Sequence, residues 1–283
     1  MECHQPSGSF KIRGIGKRCT ELAEQGAKGF LSSSGGNAGL AVAYSGSVLD
    51  LPTTIVVPQT TSAYVCNRMR SLGAKVLRYG SVWDESDTYA REYAAKNKLS
   101  YIHPFAHPSL WSGHATLVQE LTEQCHKPDA IVCAVGGGGL LCGIMEGLYQ
   151  HQWGDVQVIA VETKGAASLQ ASVEAGRLVS IPEITSIAKT LGAKKVSPKA
   201  LEWAQRHPIH CVQVSDEEAI QACVDVADDF RVLVEPACGA AYAVRKTEHP
   251  IFEQARDIVV VICGGSGVNS HMLAEWERAR RSS

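Results

Sequence analysis

The sequence predicts an α/β fold of two lobes, in which parallel-rich sheets are covered by helices. Short β-branched apolar runs alternate with stretches of helical pattern, and the connections between them are short. Some strand candidates, such as Ile258–Ile262, are apolar almost throughout, which is typical of parallel strands buried on both faces. A chain of 283 residues is long enough for two packed lobes.

The predicted strands and helices are spread over the whole chain. The predicted strands are Gly29–Ser32, Thr53–Val57, Lys75–Tyr79, Ala130–Ala134, Gln157–Glu162, His210–Val214 and Asp257–Cys263. The predicted helices are Ala38–Val48, Ser62–Leu72, Val82–Lys96, Trp111–Cys125, Leu141–Tyr149, Asp216–Phe230 and Ala237–Lys246. The stretch Arg177–Pro198 has no strong period and is predicted to be irregular. A lobe boundary is expected near His103–Ser112, where prolines interrupt the pattern.

Composition and charge exclude several classes of partner. The net charge is −2, and the one dense basic stretch, Arg278–Arg281, is typical of the solvated end of a helix. A nucleic-acid surface needs a basic field that this balance does not supply. No apolar run approaches the roughly 20 residues that span a bilayer, and the N-terminus lacks the pattern of a secretory signal. We therefore expect neither a nucleic-acid nor a membrane partner.

The ten cysteines favour a reducing compartment. They are scattered along the chain, no two of them form a Cys-x-x-Cys pair, and several lie in apolar strand candidates, namely Cys133, Cys211 and Cys263. Buried free thiols of this kind are typical of cytosolic proteins, so the sequence predicts a cytoplasmic location.

Four glycine- or serine-rich segments adjoin strand candidates, which is where α/β folds bind ligands. The first, Pro6–Gly14, holds Lys11 between Phe10 and Ile12. Burial of this lysine would lower its pKa and make the free amine a nucleophile toward an aldehyde. A surface lysine at the start of a helix would explain the same residues, so the segment alone leaves both interpretations open.

The second segment, Ser32–Gly39, runs directly into a helical pattern. Backbone N–H groups at such a helix start bind a carboxylate or a phosphate, and the Ser and Asn side chains add hydrogen-bond donors. An N-cap with a tight turn would explain one Ser or Asn but hardly the whole run.

The third segment, Gly136–Leu140, places four successive glycines between a strand and a helix. Its open backbone suits a bulky anion and predicts a phosphate cradle, with a glycine turn for close packing as the alternative. No Gly-Lys-Ser/Thr follows, and Leu141 and Cys142 stand where a Gly-x-Gly-x-x-Gly pattern needs its last glycine, so a dinucleotide site is disfavoured. The fourth segment, Cys263–Gly267, has a similar layout after an apolar strand.

Together and in this order, these segments resemble the fold-type II pyridoxal phosphate (PLP) enzymes, which share the fold of the tryptophan synthase β-subunit. The motifs PSGSFKIRG, SSGGNAG, GGGGLLCG, VEPACGAA and ICGGS are similar to those of the serine/threonine dehydratase branch, above all the eukaryotic-type L-serine dehydratases and serine-dehydratase-like proteins. The resemblance runs from Met1 nearly to the C-terminus. It implies deamination of L-serine, and of L-threonine, to pyruvate or 2-oxobutanoate and ammonia.

The resemblance also implies roles for individual residues toward PLP. Lys11 would form the Schiff base and remove the Cα proton of the substrate, Phe10 would pack near the cofactor, and Asn37 would hydrogen-bond its 3-oxygen. Cys263, followed by Gly264, would lie at the pyridine nitrogen, which a neutral thiol leaves largely unprotonated. The phosphate would bind the glycine loop, which consists of Gly136, Gly137, Gly138, Gly139 and Leu140.

The substrate carboxylate is implied to bind Ser34, Gly35 and Asn37, with Ser34 as a candidate proton relay. Position 35 is glycine where similar proteins carry alanine or glycine, and we expect the smaller residue to loosen this loop and to lower turnover. Glu235 begins a helix and is either a helix-start carboxylate or a site residue.

The monovalent cation site of the family, taken here as a K⁺ site, maps onto a further set of residues. Glu162 ends a strand and enters a loop of small residues, so an oxygen-rich cage is expected there, with a carboxylate that caps the loop as the alternative. The mapped residues are Glu162, Ala166, Ser168, Leu191 and Ala193.

The resemblance further implies a large PLP-binding domain of residues 1–13 and 108–283, a small substrate-side domain of residues 14–107, and a homodimer. Members usually carry about 30 more residues before the lysine motif, and residues 246–256 look shorter than their counterparts, so the sequence is interpreted as a shortened form. Two alternatives stay open: racemisation or another β-elimination or β-replacement on the same fold, or PLP binding without catalysis. Serine and threonine differ by one methyl group, so the sequence leaves the preference between them open.

Overall fold

In a computed structural model, which describes residues 1–281, eight strands form two four-stranded parallel sheets. This arrangement confirms the predicted α/β class with two parallel sheets covered by helices. The strands are β1 (Phe30–Ser32), β2 (Thr53–Val57), β3 (Lys75–Arg78), β4 (Ser100–Tyr101), β5 (Ala130–Ala134), β6 (Gln157–Thr163), β7 (Ile209–Val214) and β8 (Ile258–Val260).

The helices alternate with these strands along the described residues. They are α1 (Lys11–Glu24), α2 (Asn37–Val48), α3 (Ala63–Ser71), α4 (Trp83–Asn97), α5 (Pro108–Gln124), α6 (Gly139–Gln150), α7 (Ser168–Glu174), α8 (Pro198–Arg206), α9 (Asp216–Phe230), α10 (Pro236–Ala243), α11 (Pro250–Gln254) and α12 (Ser270–Arg281). Short 3₁₀ turns add Glu2–His4, Lys189–Leu191 and Val244–Lys246. Within residues 1–281, none of the helices combines the length and the apolar composition that crossing a membrane requires.

The first sheet has the strand order β3-β2-β1-β4. Successive side chains of a strand point to opposite faces, so Phe30 and Ile55 pack in one core cluster while Leu31 and Val56 pack in another. Residues of α2 belong to the first cluster and residues of α4 to the second, so helices cover both faces of this sheet. This double burial agrees with the apolar composition of the predicted strands.

The second sheet has the strand order β7-β6-β5-β8. Its central strand β5 is buried at every residue, and its carboxyl end leads into the run of four glycines. Because β5 and β8 are parallel neighbours, the segments 136–140 and 263–267 leave the sheet side by side. The fold therefore brings the third and fourth glycine-rich segments to one edge.

The sequence missed α1, α7, α8 and α11, and it placed only the basic end of α12. Gly14 and Gly16 lower the helix propensity of α1, yet packing demands a glycine at position 14, where a Cβ would overlap the carbonyl oxygen of Leu110. The predicted helix Ala237–Lys246 ends as α10 at residue 243 and continues as a 3₁₀ turn. The stretch Arg177–Pro198 is irregular, as predicted, apart from one 3₁₀ turn and the first residue of α8.

An anchored N-terminal segment holds the start of α1 in place. The backbone N–H of Glu2 donates to the carbonyl oxygen of Ile262, just beyond β8, over 2.8 Å. The Arg13 guanidinium pairs with the carboxylates of Glu2 and Glu120, each at 2.6 Å. These contacts tie the first turn of α1 to the second sheet and to α5.

Candidate active site

The first, second and fourth glycine-rich segments meet through hydrogen bonds. The Phe10 N–H donates to the carbonyl oxygen of Cys263 over 3.2 Å. The Ser266 N–H donates to Oδ1 of Asn37 over 3.0 Å. Residues that are far apart in sequence thus surround one position at the carboxyl edges of the two sheets.

Lys11 is the first residue of α1 and directly follows the N-cap residue Phe10 in the sequence. Its Nζ donates to the carbonyl oxygen of Pro104 over 2.7 Å and lies 5.1 Å from the centre of the Phe10 ring. Loss of hydration lowers the pKa of Lys11 to about 8, although the nearby Glu235 carboxylate opposes this effect. Lys11 therefore starts a helix, as the alternative interpretation of the sequence held, but its amine is desolvated.

We expect the Lys11 amine of the cofactor-free protein to react faster as the pH rises through about 8. Only the neutral amine is a nucleophile, and a lysine with a lowered pKa gives up its proton at lower pH than an ordinary lysine. Competitive acetylation with mass-spectrometric readout measures this midpoint. A midpoint near the ordinary lysine value of about 10.4 would contradict the expectation.

The turn between β1 and α2 carries the residues predicted to bind the substrate. Ser34 Oγ accepts a hydrogen bond from the N–H of Gly36 over 3.3 Å, and Gly35 lies between them. Asn37 is the first residue of α2, and its Nδ2 donates to Oε1 of Glu235 over 2.6 Å. The sequence did not predict this partner of Asn37.

Sequence reasoning also missed a polar network beside this turn. Ser33 Oγ and the Tyr101 hydroxyl both donate to Oδ1 of Asp87, and Arg91 pairs with Oδ2 over 2.8 Å. Burial would raise the pKa of Asp87, but the hydrogen bonds from Ser33, Tyr101 and Arg91 outweigh it and lower the pKa. These residues lie on β4, on α4 and after β1, so no local pattern in the sequence links them. The network fixes the turn that carries Ser34.

The glycine loop joins β5 to α6 and leaves no room for side chains. A Cβ on Gly137 would overlap the ring of Phe105, and one on Gly138, whose φ is +84°, would lie 2.6 Å from the Cβ of Ala200. The first N–H groups of α6 have no acceptor within the helix, so this loop offers backbone donors to an anion. It contains all of the residues predicted for the phosphate, namely Gly136, Gly137, Gly138, Gly139 and Leu140.

Cys263 and Gly264 follow β8 at the same edge of the second sheet. Gly264 and Gly265 have φ values of +92° and +134°, which favour glycine. A hydrogen bond with the Cys238 thiol, together with burial, raises the pKa of Cys263 well above its usual value. The thiol of Cys263 is therefore neutral.

Glu162 binds the start of α7 with both carboxylate oxygens. Oε1 accepts from the N–H of Leu169 over 2.8 Å, and Oε2 accepts from the N–H of Gln170 over 2.9 Å. Burial raises the pKa of Glu162 to about 7. These contacts match the alternative interpretation of Glu162 as a carboxylate that caps its loop.

The other residues mapped to a cation lie on two segments. Ala166 and Ser168 follow β6, and the buried hydroxyl of Ser168 has no hydrogen-bond partner among residues 1–281. Leu191 ends a 3₁₀ turn, and Ala193 follows it. Across the described chain, no group of three His, Cys, Asp or Glu side chains is arranged to hold a metal ion.

Comparison with known proteins identifies the family. The family model described as "Pyridoxal-phosphate dependent enzyme" matches residues 1–264. The chain belongs to this family of PLP-dependent enzymes. It is 47% identical to a human serine dehydratase-like protein, over 95% of this chain and 84% of that protein. It is 48% identical to the human L-serine dehydratase/L-threonine deaminase, over 96% of this chain and 86% of that protein.

A solved structure is similar to this PLP-dependent enzyme over nearly its whole length. It is a fungal L-serine ammonia-lyase from Rhizomucor miehei, with a TM-score of 0.92 and 40% sequence identity. The match covers 98% of this chain and 91% of the fungal chain. The fold and the order of the elements are thus those of a fold-type II enzyme.

The residues fit PLP at the junction, which is the place where the glycine-rich segments around Lys11, Asn37, Gly136–Gly139 and Cys263 meet. The aldehyde of PLP requires a nucleophilic amine, and the amine of Lys11 is desolvated and has a lowered pKa. The phosphate of PLP requires backbone donors free of side chains, and Gly136–Gly138 at the start of α6 meet that requirement. A neutral thiol at Cys263 suits an unprotonated pyridine nitrogen.

Proposed function

We propose that this PLP-dependent enzyme dehydrates L-serine, and L-threonine as well, to pyruvate or 2-oxobutanoate with release of ammonia. The observation that carries the proposal is the desolvated amine of Lys11 at the junction of the glycine-rich segments. The two human relatives support the same class of substrate, because their names refer to serine or threonine and they match at 47% and 48% identity.

Lys11 and Ser34 carry the proton transfers in this proposal. When bound, PLP supplies an electron sink that makes the Cα proton of the substrate removable. Lys11 would hold the cofactor through Nζ, and the same atom would accept the Cα proton of the substrate. Its lowered pKa suits a base that works near neutral pH. The β-hydroxyl leaves as water, with the hydroxyl of Ser34 as the candidate proton relay.

The remaining predicted residues bind and orient. The N–H groups of the glycine loop hold the phosphate, Phe10 packs near the cofactor, and Cys263 with Gly264 lies at the pyridine nitrogen. Asn37 donates to the 3-oxygen of the cofactor or to the substrate carboxylate, which Ser34 and Gly35 also contact. Since the thiol of Cys263 is neutral, it leaves the ring nitrogen largely unprotonated, which suits elimination of a β-hydroxyl.

The proposal also includes the domain division, the cation site, the cellular location and the oligomeric state that the family resemblance implies. Residues 1–13 and 108–283 form the large PLP-binding domain, and residues 14–107 form the small substrate-side domain. K⁺ binds near Glu162, Ala166 and Ser168 with carbonyl oxygens of Leu191 and Ala193. The enzyme is a cytoplasmic homodimer. The cysteines, which are free throughout the described chain, support the cytoplasmic location. The homodimer is supported by the frequency of such dimers among oligomeric enzymes.

The experiment that tests the function uses the purified chain loaded with PLP. Addition of L-serine or L-threonine should change the near-visible absorbance and yield pyruvate or 2-oxobutanoate with an equal amount of ammonia. D-serine is measured in the same samples. Formation of D-serine without pyruvate would replace dehydration by racemisation, and bound PLP without any turnover would mean a non-catalytic PLP-binding protein.

The substitution Gly35→Ala should raise kcat for L-serine about two- to fivefold, because alanine has fewer accessible backbone conformations than glycine at this position. An added Cβ would lie 2.8 Å from Oγ1 of Thr61, so the Thr61 side chain has to move. The kinetics are compared with those of Thr61→Ala and of the double variant. If both Gly35→Ala and the double variant show no gain, the expectation that Gly35 limits turnover is wrong.

A further inference from the structure

Glu235 is a buried carboxylate that the roles assigned above do not use. It is the N-cap residue of α10, yet its side chain does not cap that helix. Its Oε1 accepts instead from Nδ2 of Asn37 over 2.6 Å and from Oγ1 of Thr190 over 2.7 Å. Glu235 therefore starts a helix, as one of the two interpretations of the sequence held, but its carboxylate bonds to other segments of the chain.

The loop after β8 is shaped around this carboxylate. A Cβ on Gly265 would overlap the Glu235 side chain, and one on Gly267 would lie 3.3 Å from its Oε2. The backbone N–H of Gly267 favours the charged form of the carboxylate, although burial raises its pKa. Lys11 contributes a favourable charge, and the thiols near Glu235 are those of Cys223 and Cys263.

The two contacts of Asn37 admit only one orientation of its side-chain amide. Oδ1 accepts from the backbone N–H of Ser266, and Nδ2 donates to Glu235. A flipped amide would place its NH₂ group against the Ser266 N–H and its oxygen against a carboxylate, so both contacts would become repulsive. Nδ2 has a second hydrogen, for which the structure records no acceptor within residues 1–281.

We infer that Glu235 is a positioning residue, which fixes the polarity of the Asn37 amide so that Asn37 presents an N–H donor, rather than an oxygen, to an anionic oxygen of the bound cofactor or substrate. The inference rests on the proposed function, because that function supplies the ligand. Glu235 acts by orienting the Asn37 side chain, and it does not itself contact the reacting atoms.

Exchanging the amide at position 37 with the carboxylate at position 235 distinguishes this positioning role from a purely structural one. Asn37→Asp alone places two carboxylates together, and Glu235→Gln alone removes the negative charge that strengthens the hydrogen bonds from Asn37 and Thr190. The double variant Asn37→Asp/Glu235→Gln restores the pairings: the new amide donates to the new carboxylate and to the Thr190 hydroxyl, and the new carboxylate accepts from the Ser266 N–H. Net charge is conserved, but the group at position 37 now presents an oxygen to the site.

The measurements are the Tm of the cofactor-free proteins and the Kd for PLP from fluorescence titration. Both single variants should have a lowered Tm, and the double variant should recover most of that loss. Its Kd for PLP should nevertheless stay about ten- to a hundredfold weaker than that of the wild type, since a charge-assisted hydrogen bond has been lost. Glu146→Gln, at a half-buried carboxylate on α6, is the matched control and should change neither quantity.

Two results would overturn the inference. Wild-type PLP affinity in the double variant would mean that the site does not depend on the polarity of residue 37. A double variant no more stable than the two single ones would mean that Asn37 and Glu235 are not paired as described. A different result would contradict the proposed function, namely a wild-type protein that binds PLP but does not turn over L-serine or L-threonine. The Tm and Kd values of the variants could still be compared in that case.

Discussion

Replacement of Lys11 by alanine should lower the turnover of L-serine at least about a thousandfold and abolish the near-visible absorbance of bound PLP. One amine attaches the cofactor and accepts the Cα proton, so a single substitution removes both actions. Added PLP should not restore activity, because the base is lost together with the attachment. Pyruvate formation and the absorbance spectrum of the loaded protein are the two measurements.

Lys17→Ala is the matched control for this prediction. Lys17 is exposed six residues further along α1, so its loss removes a lysine from the same helix without changing the surroundings of Lys11. The Tm of the Lys11 variant shows whether the fold is intact, since Nζ donates a hydrogen bond to Pro104 in the wild type. A folded Lys11→Ala protein that keeps the absorbance band would move the cofactor attachment to another residue.

The sheets could be predicted from the sequence because their central strands contain apolar, largely β-branched runs. Predicted and observed bounds agree for Thr53–Val57 and Ala130–Ala134, which are buried at every residue. The prediction failed where tertiary packing outweighs propensity. The helix α1 forms despite Gly14 and Gly16, since Gly14 lets α1 approach α5 closely. The two-residue strand β4 is too short for any pattern to reveal it.

The site was predictable to the extent that its motifs are local. The segments around Lys11, Gly136–Leu140 and Cys263 could be located from their own residues, whereas their roles were implied only by the order of all the motifs, and the structure brings the segments together. The partners of those motifs could not be predicted in the same way. Glu235 lies 198 residues from Asn37, and its proline-led helix start offered a simpler local explanation. Only the packing of α10 against the second sheet brings that carboxylate to the first.

The substitution Gly137→Ala should weaken PLP binding about tenfold to a hundredfold. The added Cβ would overlap the ring of Phe105, and forcing an extra methyl group into a packed site typically costs about 1–3 kcal/mol. The loop or the ring has to move, and either movement shifts the N–H groups at the start of α6 away from the phosphate. The Kd for PLP, measured by fluorescence titration of the cofactor-free protein, gives the effect directly.

A second substitution shows whether Phe105 transmits this effect. Gly137→Ala/Phe105→Ala should bind PLP more tightly than Gly137→Ala, because removal of the ring makes room for the methyl group. Gly154→Ala is the control, since a Cβ at that position would lie 3.6 Å from the Tyr149 ring, an ordinary contact. If Gly137→Ala binds PLP as the wild type does, the four glycines serve close packing of β5 and α6, and the phosphate binds elsewhere.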